Sequence, residues 1–420
     1  MNKISEHLHP QPETRTWLKG ASTGAVIGAG IATTAALGST ALATYFARQI
    51  VVPPKRPVEN LKILGVGYSH ATPSEGEQPN SVRLPATCQT QIPGTYGLYF
   101  NAGTSFAVIG EIIAHSPLES SVLREVMSVH NGDLAQATRG RWSGVVAPTP
   151  ELAGYKSEEI FLELPVGSAP AWLVRPNAST EASAPSAPAS KTWAIMVHGM
   201  GAKRTETLRA LRTTQALGMI SLHMSYRNDR EAPPSDDGRY GLGFTEWEDV
   251  ETAIDYALEH GAHDVVLFGW SMGGAISLQT ADRARNKQHI RALILNGPAV
   301  DWLSLIEYHS NLNKLPLRIG ELGVRMISKP RWSSFTGLKA PIELERLSWT
   351  RRAKDLRVPT LIMHSVKDDF VPVAPAIELA RRSPHVDLVT FPEGSHTKEW
   401  NVNPERWHRA VMQWLEPRMK

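Results

Sequence analysis

Six short apolar runs alternate with helical segments along the second half of this chain, and no other feature restricts its fold as much. The runs lie at 193–197, 219–224, 264–268, 291–295, 359–363 and 387–391. Segments of helical periodicity lie among and after them, at 205–215, 246–260, 272–286, 374–382 and 404–415. Strands that are mostly apolar, without regular polar alternation, are those buried on both faces. The pattern therefore implies an α/β fold with a mostly parallel sheet and helices on both faces. In such sheets the ligand-binding groups gather at the carboxyl ends of the strands. Chemistry should be sought in the residues that follow each run.

The third run leads into Gly269-Trp270-Ser271-Met272-Gly273, a Gly-x-Ser-x-Gly sequence between a strand and a helix. A serine on so sharp a turn presents its hydroxyl, and the glycines remove side chains that would clash there. The helix that follows aims its dipole and free N–H groups at a developing oxyanion. Five such residues alone are a common pattern, and the strand–turn–helix setting is what makes them specific. The first run ends in Val197-His198-Gly199-Met200-Gly201. That turn is expected to supply the Met200 N–H as one oxyanion donor, with Met272 N–H as the other. His198 is read as a structural residue of the same loop. The fifth run precedes His364-Ser365-Val366-Lys367-Asp368-Asp369-Phe370-Val371-Pro372, and the sixth precedes Pro392-Glu393-Gly394-Ser395-His396. Ser271, Asp368 and His396 thus stand in the chain order nucleophile, acid, base.

On His198-Gly199, Gly269–Gly274, His364-Ser365-x-x-Asp368-x-x-Val371-Pro372 and Gly394-Ser395-His396, the chain from about residue 155 onward resembles the α/β-hydrolase superfamily. Within it, the chain is similar to bacterial serine hydrolases that share a lipase-like core with the prolyl-oligopeptidase group. The family's acid stands four residues after the histidine, with Val-Pro three further on. The resemblance therefore selects Asp368 over Asp369, and Asp301 is the other candidate. It implies a carboxylesterase, lipase or peptidase that cleaves an ester, thioester or amide through an acyl-enzyme, without cofactor or metal. The substrate expected is a small-molecule or lipid-like acyl compound. An acyltransferase would use the same three residues. A membrane-tethered, non-catalytic binding protein could use the scaffold, although it would not need all three.

The catalytic domain is placed at 155–420. Its start is a strand pair at 160–164 and 171–174 with a turn at 166–169, matching the antiparallel entry of this fold. The Ala/Ser/Pro-rich stretch 177–190 is read as a disordered surface loop inside the domain. The connection 298–356 is long and rich in large apolar residues, which suggests a cap over an apolar acyl pocket. Glu246, Glu248 and Asp249 are read as charges at a helix N-terminus. Upstream, 51–154 carries short apolar runs separated by turn signals and reads as a small β-rich region without catalytic or metal-binding spacing.

A polar segment, 1–20, precedes 21–46, which carries no charge and is long enough to cross a bilayer. Three readings fit: a single-pass membrane anchor, a signal cleaved after Ala41-Leu42-Ala43 that yields a secreted protein, or an Ala/Gly-rich helix buried in the globular part, with the anchor expected. With the catalytic domain beginning near residue 155, deletion of residues 1–50 is expected to leave activity intact. The 44 Lys and Arg against 41 Asp and Glu give +3, and no long run of like charge exists, so no nucleic-acid partner is expected. A single cysteine, Cys88, excludes an internal disulfide and a cysteine-cluster zinc site.

Overall fold

The computed structural model describes residues 31–54, 57–70, 74, 76–176 and 191–419. The 1–20 segment, residues 21–30 of the expected span and the 177–190 loop lie outside them.

Helix α1 (Ile31–Val51) comes first. Seven strands follow: β1 (Leu61–Lys62), β2 (Gly65–Gly67), β3 (Ser81–Pro85), β4 (Tyr96–Phe100), β5 (Ser105–Ser116), β6 (Ser121–His130) and β7 (Arg139–Ser143). They form an antiparallel sheet in the order β1-β7-β4-β5-β6-β3-β2. Val82, Leu84, Leu98, Phe100, Ile109 and Val122 are fully buried and form its own core.

The second sheet comprises β8 (Glu158–Leu164), β9 (Gly167–Val174), β10 (Thr192–Val197), β11 (Ser221–Met224), β12 (Asp264–Trp270), β13 (Ile290–Asn296), β14 (Thr360–Ser365) and β15 (Val386–Phe391). Its order is β15-β14-β13-β12-β10-β11-β9-β8, parallel from β15 to β11, with β9 antiparallel to both β11 and β8. The β8–β9 turn is tighter than expected. Leu164 already pairs with Gly167, because Gly167 reverses the chain at φ 121°, and Ser168 and Ala169 are strand residues.

The helices are α2 (Leu211–Ala216), α3 (Trp247–Glu259), α4 (Met272–Arg283), α5 (Trp302–Leu312), α6 (Leu317–Ser328), α7 (Pro330–Ser333), α8 (Ala374–Arg382), α9 (Glu399–Val402) and α10 (Pro404–Met419). The surroundings of β12 explain why it carries no polar side chain after Asp264. Val265 and Leu267 enter one core with Val250 and Ile254 of α3, while Val266, Phe268 and Trp270 enter another with Trp407, Val411 and Leu415 of α10. Each such side chain contributes about 1.5–3 kcal/mol by leaving water. The sheet is therefore anchored from both faces, and the ends of its strands are held in fixed positions.

The membrane span is corrected for the described residues. None of their helices is long and apolar enough to cross a membrane. The described part of the expected span packs on protein instead. Ala43, Ala47 and Val51 of α1 are buried in the main core. Thr44 Oγ1 donates to Met326 Sδ of α6 at 3.4 Å, and Arg48 Nη1 donates to the Thr336 carbonyl at 3.3 Å. Tyr240 N donates to the Val51 carbonyl at 2.8 Å. The small side chains that make this segment weakly hydrophobic let α6 approach closely, with Gly323 lying against the Ala43 carbonyl.

Candidate active site

Ser271 is the last residue before α4 and has φ 54° and ψ −115°, a conformation rare for any residue but glycine. The local sequence enforces it. A Cβ on Gly269 would lie 2.6 Å from the Gly273 carbonyl oxygen, and one on Gly273 would lie 2.1 Å from that of Val197. Only glycines allow the turn to close this tightly against β10. Ser271 N donates to the Asn296 carbonyl at 2.9 Å, which ties the strained residue to the end of β13.

His396 lies just after β15, and its Nε2 is 2.8 Å from Ser271 Oγ. Its Nδ1 is 2.8 Å from Asp368 Oδ2, in the loop after β14. The three side chains come from the ends of three strands, and 125 residues separate the serine from the histidine. Asp368 Oδ1 accepts from Phe370 N at 2.9 Å and Val371 N at 2.8 Å. Burial alone would raise the Asp368 pKa, but His396 and His364 beside it prevail and hold the carboxyl well below the usual carboxylate range. Asp369 is exposed. Asp301 caps α5, accepting from Ser304 N at 3.1 Å and Ser348 Oγ at 2.6 Å, so it serves a helix end and not the histidine.

His198 is fully buried, with Nε2 3.0 Å from Asp229 Oδ2 and Nδ1 2.9 Å from the Gly199 carbonyl. Burial opposes its protonation, but the Asp229 carboxylate outweighs burial and raises its pKa. Gly199 N donates to Glu206 Oε2 at 2.8 Å. Among the described residues no acceptor pairs with the N–H of Met200 or Met272. A Cβ on Gly199 would lie 3.1 Å from Ser271 Cβ, so this loop passes directly beside the serine.

Ser271 opens onto a cavity of about 260 Å³. Its walls include Trp302, Leu305 and Ile306 of α5, Ile319, Gly320 and Gly323 of α6, and Met200 and Phe370. Phe46, Ala47 and Ile50 of α1 complete it. The apolar content of 298–356 signals α5 and α6, whereas the sequence admits α1 as a buried helix and nothing in it signals the place of α1 in the cavity wall. Two further contributors were also missed. His309 Nε2 binds the Phe370 carbonyl at 2.8 Å, and the Phe370 ring lies 5.1 Å from that of His396. Glu246 and Asp249 do more than mark a helix start. Buried Glu246 accepts from Gly241 N at 2.6 Å and Gly243 N at 2.9 Å, and buried Asp249 pairs with Arg227. Among the described residues no cluster of three or more His, Cys, Asp or Glu is arranged to hold a metal ion.

The arrangement can move a proton from Ser271 Oγ to an imidazole whose far side is held by a carboxylate. A comparison with protein families agrees with the fold that carries it. The family model described as "Alpha/beta hydrolase family" matches residues 194–410. A model described only as a domain of unknown function matches residues 70–143. The AB hydrolase superfamily protein YisY of Bacillus subtilis (strain 168) is 25% identical over 192 residues, 37% of this chain and 71% of that protein. Among solved structures, the Pyrococcus furiosus esterase Pf2001 aligns with a TM-score of 0.48 at 14% identity, over 65% of this chain and 96% of the esterase. Est1E from Butyrivibrio proteoclasticus aligns with a TM-score of 0.45 at 18% identity, over 62% and 98%. With a family model spanning more than half of its length, over the segment that holds all three hydrogen-bonded side chains, the chain belongs to the α/β hydrolase family.

Proposed function

We propose that this protein is a serine hydrolase that cleaves small-molecule esters or thioesters of apolar acids. The observation that carries the reading is the unbroken hydrogen-bond series Ser271–His396–Asp368 opening onto an apolar cavity. His396 Nε2 takes the Ser271 proton as Oγ attacks the acyl carbonyl. Asp368 holds the ring in the tautomer that leaves Nε2 free and stabilises the imidazolium. The carbonyl oxygen, now negative, turns toward the Met200 and Met272 N–H groups. The imidazolium then protonates the leaving alcohol or thiol. Water attacks the acyl-enzyme with the same histidine as base, and the acid departs.

The acyl chain is assigned to the cavity between α1, α5 and α6, whose walls are largely aliphatic and aromatic. A fluorophosphonate probe tests the nucleophile: wild type should be labelled at Ser271, and Ser271→Ala should not be. A panel of p-nitrophenyl esters then tests the pocket, with butanoyl to octanoyl esters expected to exceed acetyl in kcat/KM. Product partition to an added alcohol in preference to water would move the assignment to acyl transfer.

A further inference from the structure

The N-terminal sheet carries no catalytic group of its own, yet it touches the loop that holds His396. We propose that this sheet positions the base, with Asn401 as the joint; the proposal rests on the reading of Ser271, His396 and Asp368 as the catalytic residues. His396 sits between Gly394 at φ 106° and Thr397 at φ 54°, in backbone that does not hold its shape unaided. Five residues on, Asn401 of α9 is fully buried, and every hydrogen-bonding group of its amide is in use. Its Nδ2 donates to the Thr95 carbonyl at 2.7 Å and to the Gly144 carbonyl at 2.9 Å, both in the N-terminal unit. Thr95 N returns a bond to the Asn401 carbonyl at 3.0 Å.

The other end of the amide reaches the site. Arg209 Nη1 donates to Asn401 Oδ1 at 2.8 Å and to the Thr397 carbonyl, next to His396, at 2.6 Å. Arg209 is buried and pairs with Glu206 at 3.4 Å, and Glu206 accepts the Gly199 N–H of the oxyanion loop at 2.8 Å. One buried network thus joins the N-terminal sheet to both loops that flank Ser271.

The sheet side is rigid. Arg124, fully buried in β6, donates to the carbonyls of Thr90, Ile92, Gly94 and Gly110 at 2.5–3.0 Å. Its guanidinium lies 5.3 Å from the ring centres of both Tyr96 and Trp142. This fixes the 90–95 loop, where the fit to Asn401 is so close that a Cβ on Gly94 would lie 2.1 Å from the Asn401 carbonyl oxygen. Buried networks in which the linking amide and its carbonyl partners are all paired hold one geometry. Misplacing a catalytic group by about 1 Å can cost roughly a hundredfold in rate.

The test uses the full chain and three variants, none of them in the reacting trio. Gly94→Ala pushes the sheet off Asn401 from the far side. Asn401→Asp keeps an acceptor for Arg209 but removes both donors to the sheet, and Asn401→Ala removes both arms. Thermal melts and near-UV circular dichroism establish that each is folded. In folded Gly94→Ala and Asn401→Asp, kcat for p-nitrophenyl butanoate should fall about ten- to a hundredfold with KM changed less than about threefold. The pH at which kcat is half-lost on the acid side should move as well, which mere loss of stability would not do. Wild-type kcat and pH profile in folded Gly94→Ala and Asn401→Asp would overturn the proposal. If Gly94→Ala does not fold, the two Asn401 variants decide alone. Failure of the wild type to react with a fluorophosphonate would strike the reading of the trio itself, and this proposal with it.

Discussion

His364 and His396 both reach Oδ2 of Asp368, at 3.3 and 2.8 Å, so one buried carboxylate oxygen serves two imidazoles. His364 also contacts the Val371 carbonyl at 3.0 Å, which fixes its ring from β14 while His396 approaches from the loop after β15. The four-residue spacing of His364 and Asp368 therefore has a physical reason: His364 holds the carboxylate that in turn holds His396.

Asp368→Asn should lower kcat about 10³- to 10⁴-fold, since an amide favours the wrong tautomer of His396. Asp369→Asn should change it less than about threefold, because Asp369 is exposed and outside the hydrogen-bond series. Steady-state kinetics on p-nitrophenyl butanoate compares them directly. A larger loss in Asp369→Asn would overturn the assignment of the acid.

Ser271 offers a separate check through its backbone. Ser271→Ala and Ser271→Gly should both lose turnover by roughly 10⁴-fold or more. They should differ in stability. At φ 54° and ψ −115° a side chain is strained by about 1–3 kcal/mol, which glycine relieves. Glycine costs about 0.5–1 kcal/mol in the unfolded chain, so Ser271→Gly should melt at or above Ser271→Ala. Calorimetry of the two inactive variants measures the difference.

The His198–Asp229 pair predicts a pH window of stability. His198 has a raised pKa in the fold, so its contribution is fully present below its unfolded value of about 6.5 and is lost as pH rises through the folded value. For Asp229, burial opposes ionisation but His198 and two backbone N–H groups lower its pKa. Its contribution is present above the unfolded value of about 3.9 and is lost as pH falls through the folded one. His198→Gln should therefore lose most stability relative to wild type between about pH 4 and 6.5, and less at pH 9. Urea titrations at three pH values test this, and a difference that grows toward pH 9 would contradict it.

Helix α1 reverses the expectation that residues 1–50 can be removed without loss. Deleting residues 1–51 strips Ala43, Ala47 and Val51 from the core and Phe46 and Ile50 from the cavity wall. Two wall side chains at about 1.5 kcal/mol each correspond to roughly a hundredfold in kcat/KM for an octanoyl ester. The acetyl ester, with the shortest acyl group, should be affected less. The melting temperature should also fall. Equal kcat/KM values for deleted and full-length protein on the octanoyl ester would remove α1 from the pocket.

Much of the site was legible in the sequence because it rests on local rules. Gly269 and Gly273 signal a turn that no other residue can make, and predominantly apolar runs signal the strands of a covered sheet. Chain order then pointed to Asp368 and His396 at the ends of β14 and β15. What only the tertiary structure decided are contacts between segments far apart in the chain. An Ala/Gly-rich helix reads alike whether lipid or α6 covers it, since small apolar side chains suit both surroundings. Whether Asn401 is a surface amide or a buried joint depends on the carbonyls of Thr95 and Gly144, which carry no side-chain signature at all. Backbone acceptors exist at every residue, and only the folded chain selects the two that meet this donor.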